Sequence, residues 1–236
     1  MPAEKQPDAR LLSAIPYLRP GDRVADVGTD HAYLPIYLVR QGIASAVLAS
    51  DVNRGPIERA REHIREAGLS DSIQTLQADG LHGVESFKPD SILIFGMGGE
   101  LIVKILSEAP WIRNSAIRLI LQPMSRAAVL RAWLNENGFT VIGETLTFAD
   151  QYYQTVCAEW TGNTEPYTAL ELLIGKSRFY RDAPYPDAFI EQKIRIYSAI
   201  VAGKKRSAGA ETAAETQLLA DLRALLARLR AERGTV

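Results

Sequence analysis

RVADVGTDHAYLP, residues Arg23–Pro35, is the most informative segment of this chain of 236 residues. Its first five residues are mostly apolar and predict a short buried strand that ends in Asp-x-Gly. Gly28 has no Cβ, so it permits a tight turn there and also lets the backbone approach a ligand closely. The segment Leu34–Val39 predicts a helix after the turn. A strand, a glycine turn and a helix in this order build the cofactor site of a doubly wound α/β fold.

The residues of the turn indicate which cofactor binds. Asp30 stands where the dinucleotide fingerprint G-x-G-x-x-G requires its second glycine. Asp26 and Asp30 would repel a pyrophosphate that entered the turn, whereas they would attract a cofactor that carries an amino group and a sulfonium. The turn therefore predicts S-adenosylmethionine as the cofactor.

Two further acids follow the next two predicted strands. Asp51 comes at the end of Ala46–Ser50, 23 positions after Gly28, where an acid can accept hydrogen bonds from both ribose hydroxyls. Asp79 closes the strand Ile73–Ala78, where it can meet the adenine amino group. Each acid taken alone fits a turn or a helix cap equally well. Three acids at three successive strand ends favour a nucleoside-cofactor site.

Short apolar runs alternate with helical patterns as far as residue 137, which predicts a parallel sheet with helices on both faces. The last helix of this series is Ala127–Asn137, and Thr140–Phe148 and Tyr152–Trp160 then predict a β-hairpin at the sheet edge. This arrangement is typical of an α/β, doubly wound, Rossmann-like methyltransferase and fits a dehydrogenase less well. The five strand candidates of the parallel part are Val24–Val27, Ala46–Ser50, Ile73–Ala78, Ser91–Phe95 and Ile117–Leu121.

The character of the sequence changes near Gly162, and we predict domains at 1–162 and 163–236. A helical stretch, Ala169–Tyr180, precedes a proline-containing bend at Ala183–Pro186. Thr212 and Glu215 have the spacing of a capping box that would start the last helix. Two apolar stripes predict an antiparallel helical hairpin with a coiled-coil seam. The stripes are Ile190, Ile194, Tyr197 and Val201, then Leu218, Leu222, Leu225 and Leu229.

Composition is that of an ordinary soluble protein, with 47% hydrophobic residues and a net charge of −1. No apolar run reaches the length of a membrane span, and the N-terminus lacks an apolar signal core. The single cysteine, Cys157, suits a reducing compartment, so we expect a cytoplasmic protein. His31, His63 and His82 lack metal-ligand spacing, and we expect no metal site.

Charge is distributed unevenly along the chain. Residues 175–236 hold 12 Lys and Arg against 7 Asp and Glu, a net +5, whereas residues 1–174 carry a net −6. A basic tail beside an acidic body favours contact of the tail with a polyanion. Solvated helices with Lys and Arg on their outer faces explain the same distribution equally well. The basic run Lys204–Arg206 is predicted to lie in the loop between the last two helices.

The second half of the predicted active site is Phe95-Gly96-Met97-Gly98-Gly99, after the fourth strand. Three glycines in four positions let a flat ring approach the backbone without a side-chain clash. A helix-start turn packed closely against the sheet is the plainer explanation. Gln122, at the end of the fifth strand, can hydrogen-bond either a substrate edge or a loop carbonyl.

These motifs together resemble the bacterial tRNA (adenine-22-N1)-methyltransferase family. The resemblance covers essentially the whole chain, including the C-terminal helical hairpin. One departure is Met124, which stands after Gln-Pro where the family pattern has Asn, so the side chain at this position carries no amide that could contact the target base. The segments that carry the resemblance are ADVGTDHAYLP (Ala25–Pro35), Asp51-Val52, Asp79-Gly80-Leu81, GMGG (Gly96–Gly99) with Leu101-Ile102, and LILQP (Leu119–Pro123).

The resemblance implies that the protein methylates N1 of adenine 22 in tRNA and that tRNA is its partner. It implies a cofactor pocket formed by Asp26, Gly28, Thr29, His31, Ala32, Tyr33, Asp51, Val52, Asn53, Asp79, Gly80 and Leu81. The reaction centre would contain Asp30, Gly96, Met97, Gly98, Gly99 and Gln122. Contacts to tRNA are expected from Lys204, Lys205, Arg206, Lys176 and Arg178.

Two other functions stay open on the sequence. The first is a methyltransferase that acts on a small molecule or a protein amine and uses the tail as a dimerisation arm. The second is a nucleotide-binding regulatory module whose helical hairpin binds a protein. Transfer of labelled methyl to bulk tRNA distinguishes the first, and titration with S-adenosylmethionine, NAD and ATP distinguishes the second.

Overall fold

The computed structural model describes residues 6–180, 186–206 and 211–233 of the chain. Seven strands form one sheet: β1 (Asp22–Val27), β2 (Ala44–Asp51), β3 (Ile73–Gln77), β4 (Ser91–Gly98), β5 (Arg118–Ser125), β6 (Phe139–Phe148) and β7 (Tyr152–Trp160). Their spatial order is β3-β2-β1-β4-β5-β7-β6. The first five strands are parallel, and β7 pairs antiparallel with β5 and β6. This is a Rossmann-like methyltransferase sheet, as the sequence predicts.

The α-helices are α1 (Ala9–Leu12), α2 (Tyr33–Arg40), α3 (Arg54–Glu66), α4 (Gly99–Ser107), α5 (Ala127–Glu136), α6 (Ala169–Ile174), α7 (Asp187–Arg206) and α8 (Ala213–Arg233). Connections from β1 to β3 proceed in one direction across the sheet, and those from β4 to β5 proceed in the other. Right-handed crossovers that run in opposite directions place their helices on opposite faces. The central strands are therefore covered on both sides.

Burial follows from this double cover. In β4, Ile92, Leu93 and Ile94 have no exposed surface, and in β1 Val24 and Ala25 have none. Strands that are buried on both faces read as continuous apolar runs rather than as alternating patterns. The central part of the sheet is thus a rigid frame for the residues at its carboxyl edge.

The sheet changes its winding direction between β1 and β4, which are neighbours although they are far apart in sequence. Val27 pairs with Ile94 at the ends of these strands. Ligands of open α/β sheets bind at such a switch point, outside the carboxyl ends of the strands. The register therefore places the turn at Gly28 beside Phe95 and Gly96.

A buried ion pair joins α5 to β6. The side chains of Arg131 and Glu144 have no exposed surface, and Arg131 Nε donates to Glu144 Oε1 at 3.0 Å. Arg131 Nη2 donates to the second carboxylate oxygen at 2.5 Å. A guanidinium and a carboxylate in this two-point arrangement satisfy each other away from water.

Three elements differ from the sequence prediction. β4 and β5 each extend further than expected, to Gly98 and Ser125, and the pairing shifts register where Pro123 lies opposite Met97. Proline is tolerated at such an irregularity because it cannot donate to a regular ladder. The predicted helix Ala169–Tyr180 is two pieces, α6 and a short 3-10 turn at Ser177–Tyr180, separated at Gly175, whose φ is +89°.

The chain divides into two compact units between Pro166 and Tyr167, four residues after the predicted boundary. In the second unit α7 and α8 pack antiparallel, because Arg230 near the end of α8 bonds Asp187 and Glu191 near the start of α7. The buried stripe residues of α7 and α8 are Ile190, Val201, Leu218, Leu222, Leu225 and Leu229. The coiled-coil seam stays a prediction.

Corrections to the predicted tail concern its loops. Lys204–Arg206 form the last turn of α7 rather than the loop, and residues 207–210 lie outside the described chain. Most of the predicted bend at Ala183–Pro186 also lies outside it. Glu215 accepts a hydrogen bond from Lys204 at 2.5 Å, which ties the start of α8 to the end of α7.

Candidate active site

A cavity of about 440 Å³ opens at the carboxyl ends of β1 and β4. Three segments line it: the N-terminal residues Gln6, Pro7, Asp8, Arg10 and Leu11, the turn residues Asp26, Gly28, Thr29, Asp30, His31, Tyr33 and Leu34, and the β4 residues Phe95 and Gly96. The cavity therefore lies at the switch point of the sheet, where the topology places a ligand.

Gly28 suits the turn mainly because of its backbone conformation. Its φ of +83° lies in the left-handed region, and a Cβ there would overlap the methyl carbon of Met97. The amides of Gly28 and Thr29 both donate to the carbonyl of Ser50, at 2.8 and 2.9 Å. The turn is thus anchored to the end of β2, and the positive φ of Gly28 is the main reason for a glycine, since the Met97 methyl ends a flexible side chain.

Asp26 brings a buried carboxylate to the wall of the cavity. Burial raises the pKa of Asp26 to about 6, and a hydrogen bond with the Thr29 side chain lowers it in part. Among the described residues, no Lys, Arg or His forms an ion pair with it. The charged form of a buried acid without a counter-ion is stabilised when a cationic ligand group binds, because the ligand offsets the cost of desolvating the charge.

Three rings stack beside the turn. His31, Tyr33 and His63 lie with their ring centroids 5.2 to 5.6 Å apart, and the His31 carbonyl is 2.9 Å from His63 Nδ1. His31 and Ala32 both adopt positive φ, 63° and 56°. In the described chain, the buried Nδ1 of His31 has no hydrogen-bond partner. An orphaned polar atom beside a glycine turn is typical of a ligand site.

Asp30 lines the cavity, but it does not present an isolated charge. Its Oδ1 lies 3.1 Å from Arg59 Nη2 and 3.3 Å from His31 Nε2, and 64% of its side chain is exposed. Solvent and the guanidinium both weaken the electrostatic effect of such a carboxylate. The predicted role of Asp30 near the developing cation is therefore reduced in strength and stays a prediction.

The other predicted cofactor residues lie along the same sheet edge, at the ends of β2 and β3. Asp51 is half-buried, and its Oδ1 accepts from the amide of Asn53 at 2.7 Å, while Val52 is exposed. Gly80 has a φ of +56° and packs against Ile105. Leu81 is buried and lines a second cavity of about 300 Å³. Asp79, Asp51 and Gly28 therefore follow one another across three neighbouring strands.

Gln122 is a correction to the predicted reaction centre. Its side chain is fully buried, and its Oε1 accepts from the Gly96 amide and from Arg10 Nη1, both at 3.3 Å. Its Nε2 faces the sulfur of Met124 at 3.9 Å. Gln122 thus supports the cavity wall from behind and does not line it.

The three glycines at positions 96, 98 and 99 are explained by different contacts. Gly96 is exposed, has a φ of +78° and lines the cavity. Gly98 precedes α4, and a Cβ there would lie 3.4 Å from Ser125 Oγ. Gly99 is buried, and a Cβ there would overlap the carbonyl of Arg126. Close helix packing therefore explains Gly99, whereas Gly96 faces the ligand space.

Sequence reasoning missed the N-terminal wall of the cavity. Arg10 reaches Gln122 across 112 positions, its guanidinium lies 5.6 Å from the centre of the Tyr153 ring, and Ser13 Oγ is 2.6 Å from Thr155 Oγ1. The Tyr153 hydroxyl donates to Asp150 at 2.7 Å, a bond that lowers the pKa of Asp150. One arginine in a short apolar helix is an ordinary feature, so no local signal marked these contacts.

The predicted tRNA-contacting residues do not form a uniform set. Lys176 is buried, with its Nζ 4.1 Å from the centre of the Tyr167 ring, and it therefore does not present its charge to a polyanion. Lys204 pairs with Glu215. Arg178, Lys205 and Arg206 are exposed. The correction for Lys176 has a simple cause, since Gly175 ends α6 and turns the next side chain inward.

Among the described residues, no group of three or more His, Cys, Asp or Glu is placed to hold a metal ion. The helices in those ranges are all too short or too polar to cross a membrane.

Comparison with known proteins gives a consistent result. A family model described as a methyltransferase domain matches residues 8–156. The chain is 35% identical over 167 residues to the tRNA (adenine(22)-N(1))-methyltransferase of Bacillus subtilis, and the match covers 70% of each protein. It is also similar to the solved structure of the B. subtilis m1A22 tRNA methyltransferase TrmK, with a TM-score of 0.78 and 29% identity over 94% of this chain and 98% of that one.

A second solved structure bears on the cofactor. It is a Streptococcus pneumoniae protein, Sp1610, solved as a candidate tRNA (m1A22) methyltransferase in complex with S-adenosyl-L-methionine. The similarity has a TM-score of 0.77 and 29% identity, and it covers 94% of this chain and 98% of that chain. S-adenosylmethionine is the cofactor, and the buried carboxylate of Asp26, the open turn at Gly28 and the orphaned Nδ1 of His31 fit it. The chain belongs to the family of tRNA (adenine(22)-N(1))-methyltransferases.

Proposed function

We propose that this protein transfers the methyl group of S-adenosylmethionine to N1 of adenine 22 in tRNA. The observation that carries the proposal is the cavity at the β1–β4 switch point, which contains Asp26 and the turn at Gly28, in a chain 35% identical to an enzyme named for this activity. A non-catalytic nucleotide module is disfavoured, because a buried carboxylate in the turn repels phosphate.

The chemistry places modest demands on the protein. The cofactor supplies a methyl group made electrophilic by its sulfonium. Neutral adenine N1 carries a lone pair and no proton, so the N1–carbon bond forms as the carbon–sulfur bond breaks and no general base is required. The positive charge moves from sulfur to the purine ring. The protein therefore contributes mainly by holding the two reactants in line.

Residue roles follow from position along the sheet edge. Asp51 would accept from the ribose hydroxyls and Asp79 from the adenine amino group, with Val52, Asn53, Gly80 and Leu81 around them. Asp26 would bind the ammonium group, and Thr29, His31, Ala32 and Tyr33 would surround the turn. Gly96–Gly98 would provide the backbone against which the target base lies, and Asp30 would add a weak, screened attraction for the cationic product.

The direct test is mass spectrometry of nucleosides after incubation of unmodified tRNA with the enzyme and cofactor. The expected product is 1-methyladenosine at position 22 and nowhere else. Asp26→Asn should lose most of this activity, whereas the exposed acid Asp71 provides a matched control as Asp71→Asn. Methyl transfer to another nucleoside, or to a protein amine in place of tRNA, would contradict the proposal.

The tail unit is proposed to bind tRNA through exposed cations. Lys205→Ala with Arg206→Ala should weaken tRNA binding and reduce its salt dependence, since each lost phosphate contact removes roughly one unit of slope. Cofactor affinity should not change. Arg223→Ala with Arg228→Ala removes two exposed cations from α8 and serves as the matched pair. Equal tRNA affinity and salt slope in the Lys205 and Arg206 variant would place the tRNA contacts elsewhere.

A further inference from the structure

The hairpin formed by β6 and β7 carries two aromatic rings at its tip. Phe148, the last residue of β6, lies directly opposite Tyr152, the first residue of β7. Their ring centroids are 5.0 Å apart and their planes meet at 61°, which is an edge-to-face pair. Directly opposite residues of neighbouring strands project from the same face of the sheet, so the two rings form one aromatic surface. We call these two side chains the hairpin-tip pair.

The hairpin-tip pair is open to solvent. Phe148 is 62% exposed, the largest fraction among the large apolar side chains in the described part of the chain. Single exposed apolar residues are ordinary in soluble proteins, so this exposure alone assigns no role. The position of the pair relative to the cavity is the more informative observation.

The hairpin-tip pair lies at the same edge of the sheet as the cavity. β7 runs antiparallel to β5, and Leu121 pairs with Val156, so the start of β7 lies toward the carboxyl end of β5. The ring of Tyr153, the neighbour of Tyr152, lies 5.6 Å from the guanidinium of Arg10, which lines the cavity. Consecutive Cα atoms are about 3.8 Å apart. The pair is therefore one residue away from a side chain that packs on the cavity wall.

We propose that the hairpin-tip pair stacks against an unpaired nucleobase of tRNA that lies next to the methylated adenine. This inference rests on the proposed function, because it takes tRNA as the substrate. Successive side chains of a strand point to opposite faces, so Tyr152 lies on the other face from Tyr153 and Arg10. The pair thus suits a base that flanks the target adenine rather than the adenine inside the cavity.

The chemistry of an open aromatic surface matches a nucleobase. Bases of single-stranded RNA stack on Phe and Tyr side chains, and such stacking tolerates any sequence because every base has a π face. An adenine that enters an enclosed site must leave its own stack, which uncovers the face of the next base. Phe148 offers that uncovered face a replacement for its lost neighbour.

The charge at the hairpin tip favours a base over a phosphate. Asp150 lies between the two rings in sequence and is exposed, and the bond from the Tyr153 hydroxyl lowers the pKa of Asp150, so its carboxylate is ionised at neutral pH. The segment from Phe148 to Tyr152 contains no Lys or Arg. A carboxylate repels a phosphodiester but not the face of an uncharged base. The contribution of this contact to tRNA affinity should therefore be independent of salt.

The test measures the affinity of the full chain for unmodified tRNA over a salt series, without cofactor. Phe148→Ala should weaken binding by about five- to a hundredfold, the effect of losing one stacked base. The slope of log affinity against log salt should not change, because no phosphate contact is lost. Phe148→Leu keeps an apolar side chain without a ring and should bind as weakly as Phe148→Ala. Phe148→Tyr restores the ring and should bind like the wild type.

Methylation kinetics give a second measurement. A base that is held equally in the bound complex and in the transition state affects KM and not kcat. Phe148→Ala should therefore raise the KM for tRNA by the same factor and leave kcat and cofactor affinity unchanged. Ile142→Ala is the matched control, since Ile142 is 40% exposed on the same strand, six residues before the tip, and its removal should not affect tRNA affinity.

Three results would overturn the stacking proposal. Wild-type tRNA affinity in Phe148→Leu would show that the face of the ring is not used. A lower melting temperature of Phe148→Ala with unchanged tRNA affinity would assign the pair to the stability of the hairpin. A change from dimer to monomer in sedimentation, again with unchanged tRNA affinity, would assign the pair to a contact between two copies of the chain. If Phe148→Ala does not fold, the comparison of Phe148→Leu with Phe148→Tyr decides.

Failure of this proposal and failure of the proposed function give different results. If adenine 22 is methylated and all the Phe148 variants bind tRNA equally, the stacking proposal alone is wrong. If the wild type methylates a different nucleoside of tRNA, the proposed function is wrong, while loss of affinity in Phe148→Ala and Phe148→Leu still supports stacking.

Discussion

Asp26 and Glu144 are both buried carboxylates, but the two regions that contain them satisfy a buried charge in different ways. Glu144 on β6 is paired at two points with Arg131 of α5, and neither side chain is exposed. Asp26 at the end of β1 bonds the Thr29 side chain, and burial raises its pKa to about 6. The carboxylate of Glu144 thus has its counter-ion within the protein, whereas Asp26 has no ion pair among the described residues, and we propose that the ammonium group of the cofactor supplies its counter-ion. If so, the presence of an internal counter-ion distinguishes a structural acid from a binding acid better than burial does.

The largest effect is expected when the buried ion pair between Arg131 and Glu144 is removed. Arg131→Met should lower the free energy of unfolding by about 3–5 kcal/mol, because it leaves Glu144 buried without a counter-ion. Urea denaturation of the ligand-free protein measures this. The double variant Arg131→Met with Glu144→Leu should recover most of the loss, since no charge is then buried. A single variant as stable as the wild type would show that water reaches Glu144.

Asp26→Asn should have the opposite effect on stability. A carboxyl whose pKa is raised on folding costs stability at every pH above that pKa, so its removal should stabilise the ligand-free protein at pH 8 by roughly 1–3 kcal/mol. Cofactor affinity should fall by about ten- to a hundredfold, because a charge-assisted bond to the ammonium is lost. Thermal melts without and with cofactor measure both changes. A variant that binds the cofactor normally would remove Asp26 from the site.

The pH dependence of cofactor binding reports on the charge of Asp26. Asp26 is ionised above about pH 6 and protonated below it in the ligand-free protein. A cationic ligand binds the ionised form better, so affinity should fall as the pH decreases through 6. Affinity should also fall as the pH rises through about 8, because an α-amino group loses its proton there. Calorimetry across this range tests the profile. The Asp26→Asn variant, which binds the cofactor weakly at every pH, should lack the fall in affinity near pH 6. A fall of equal size in that variant would show that another group causes it.

The smallest effect is expected from Thr29→Val. The hydrogen bond from Thr29 lowers the pKa of Asp26, so its loss should raise that pKa further. The fall in cofactor affinity should then begin at a correspondingly higher pH. The unfolding free energy should change by only about 1 kcal/mol. An unchanged pH profile would show that the Thr29 hydroxyl does not control the charge of Asp26.

Much of the fold and part of the site can be predicted because they depend on residue patterns within short segments of the sequence. The run RVADVG predicts both β1 and the turn, and the apolar stripes of α7 and α8 are readable from spacing alone. The acids Asp26, Asp51 and Asp79 are found because parallel strands bring their carboxyl ends to one edge. These inferences need only periodicity and topology, and the similarity to known methyltransferases confirms the fold, the cofactor and the family.

The remaining features depend on contacts between distant segments. Arg10 acquires its place from Gln122 and Tyr153, which follow it by more than a hundred positions. Lys176 looks like a surface cation in the sequence, but its position after Gly175 turns it toward Tyr167. Gln122 has the chemistry of a substrate contact, yet neighbouring donors already occupy its carbonyl oxygen. Residue type and spacing do not reveal which partner a long side chain will find.

The N-terminal wall of the cavity also determines when the site can exist during synthesis. Residues 6–11 are synthesised well before β7, but Arg10 meets Tyr153, and Ser13 meets Thr155, on that strand. Contacts of such long sequence separation form late, because the intervening chain must first be ordered. A nascent chain that already contains β1 to β4 therefore holds the glycine turn without its closing wall. Completion of the cavity is thereby linked to the ordering of β7, the last of the described strands to be synthesised.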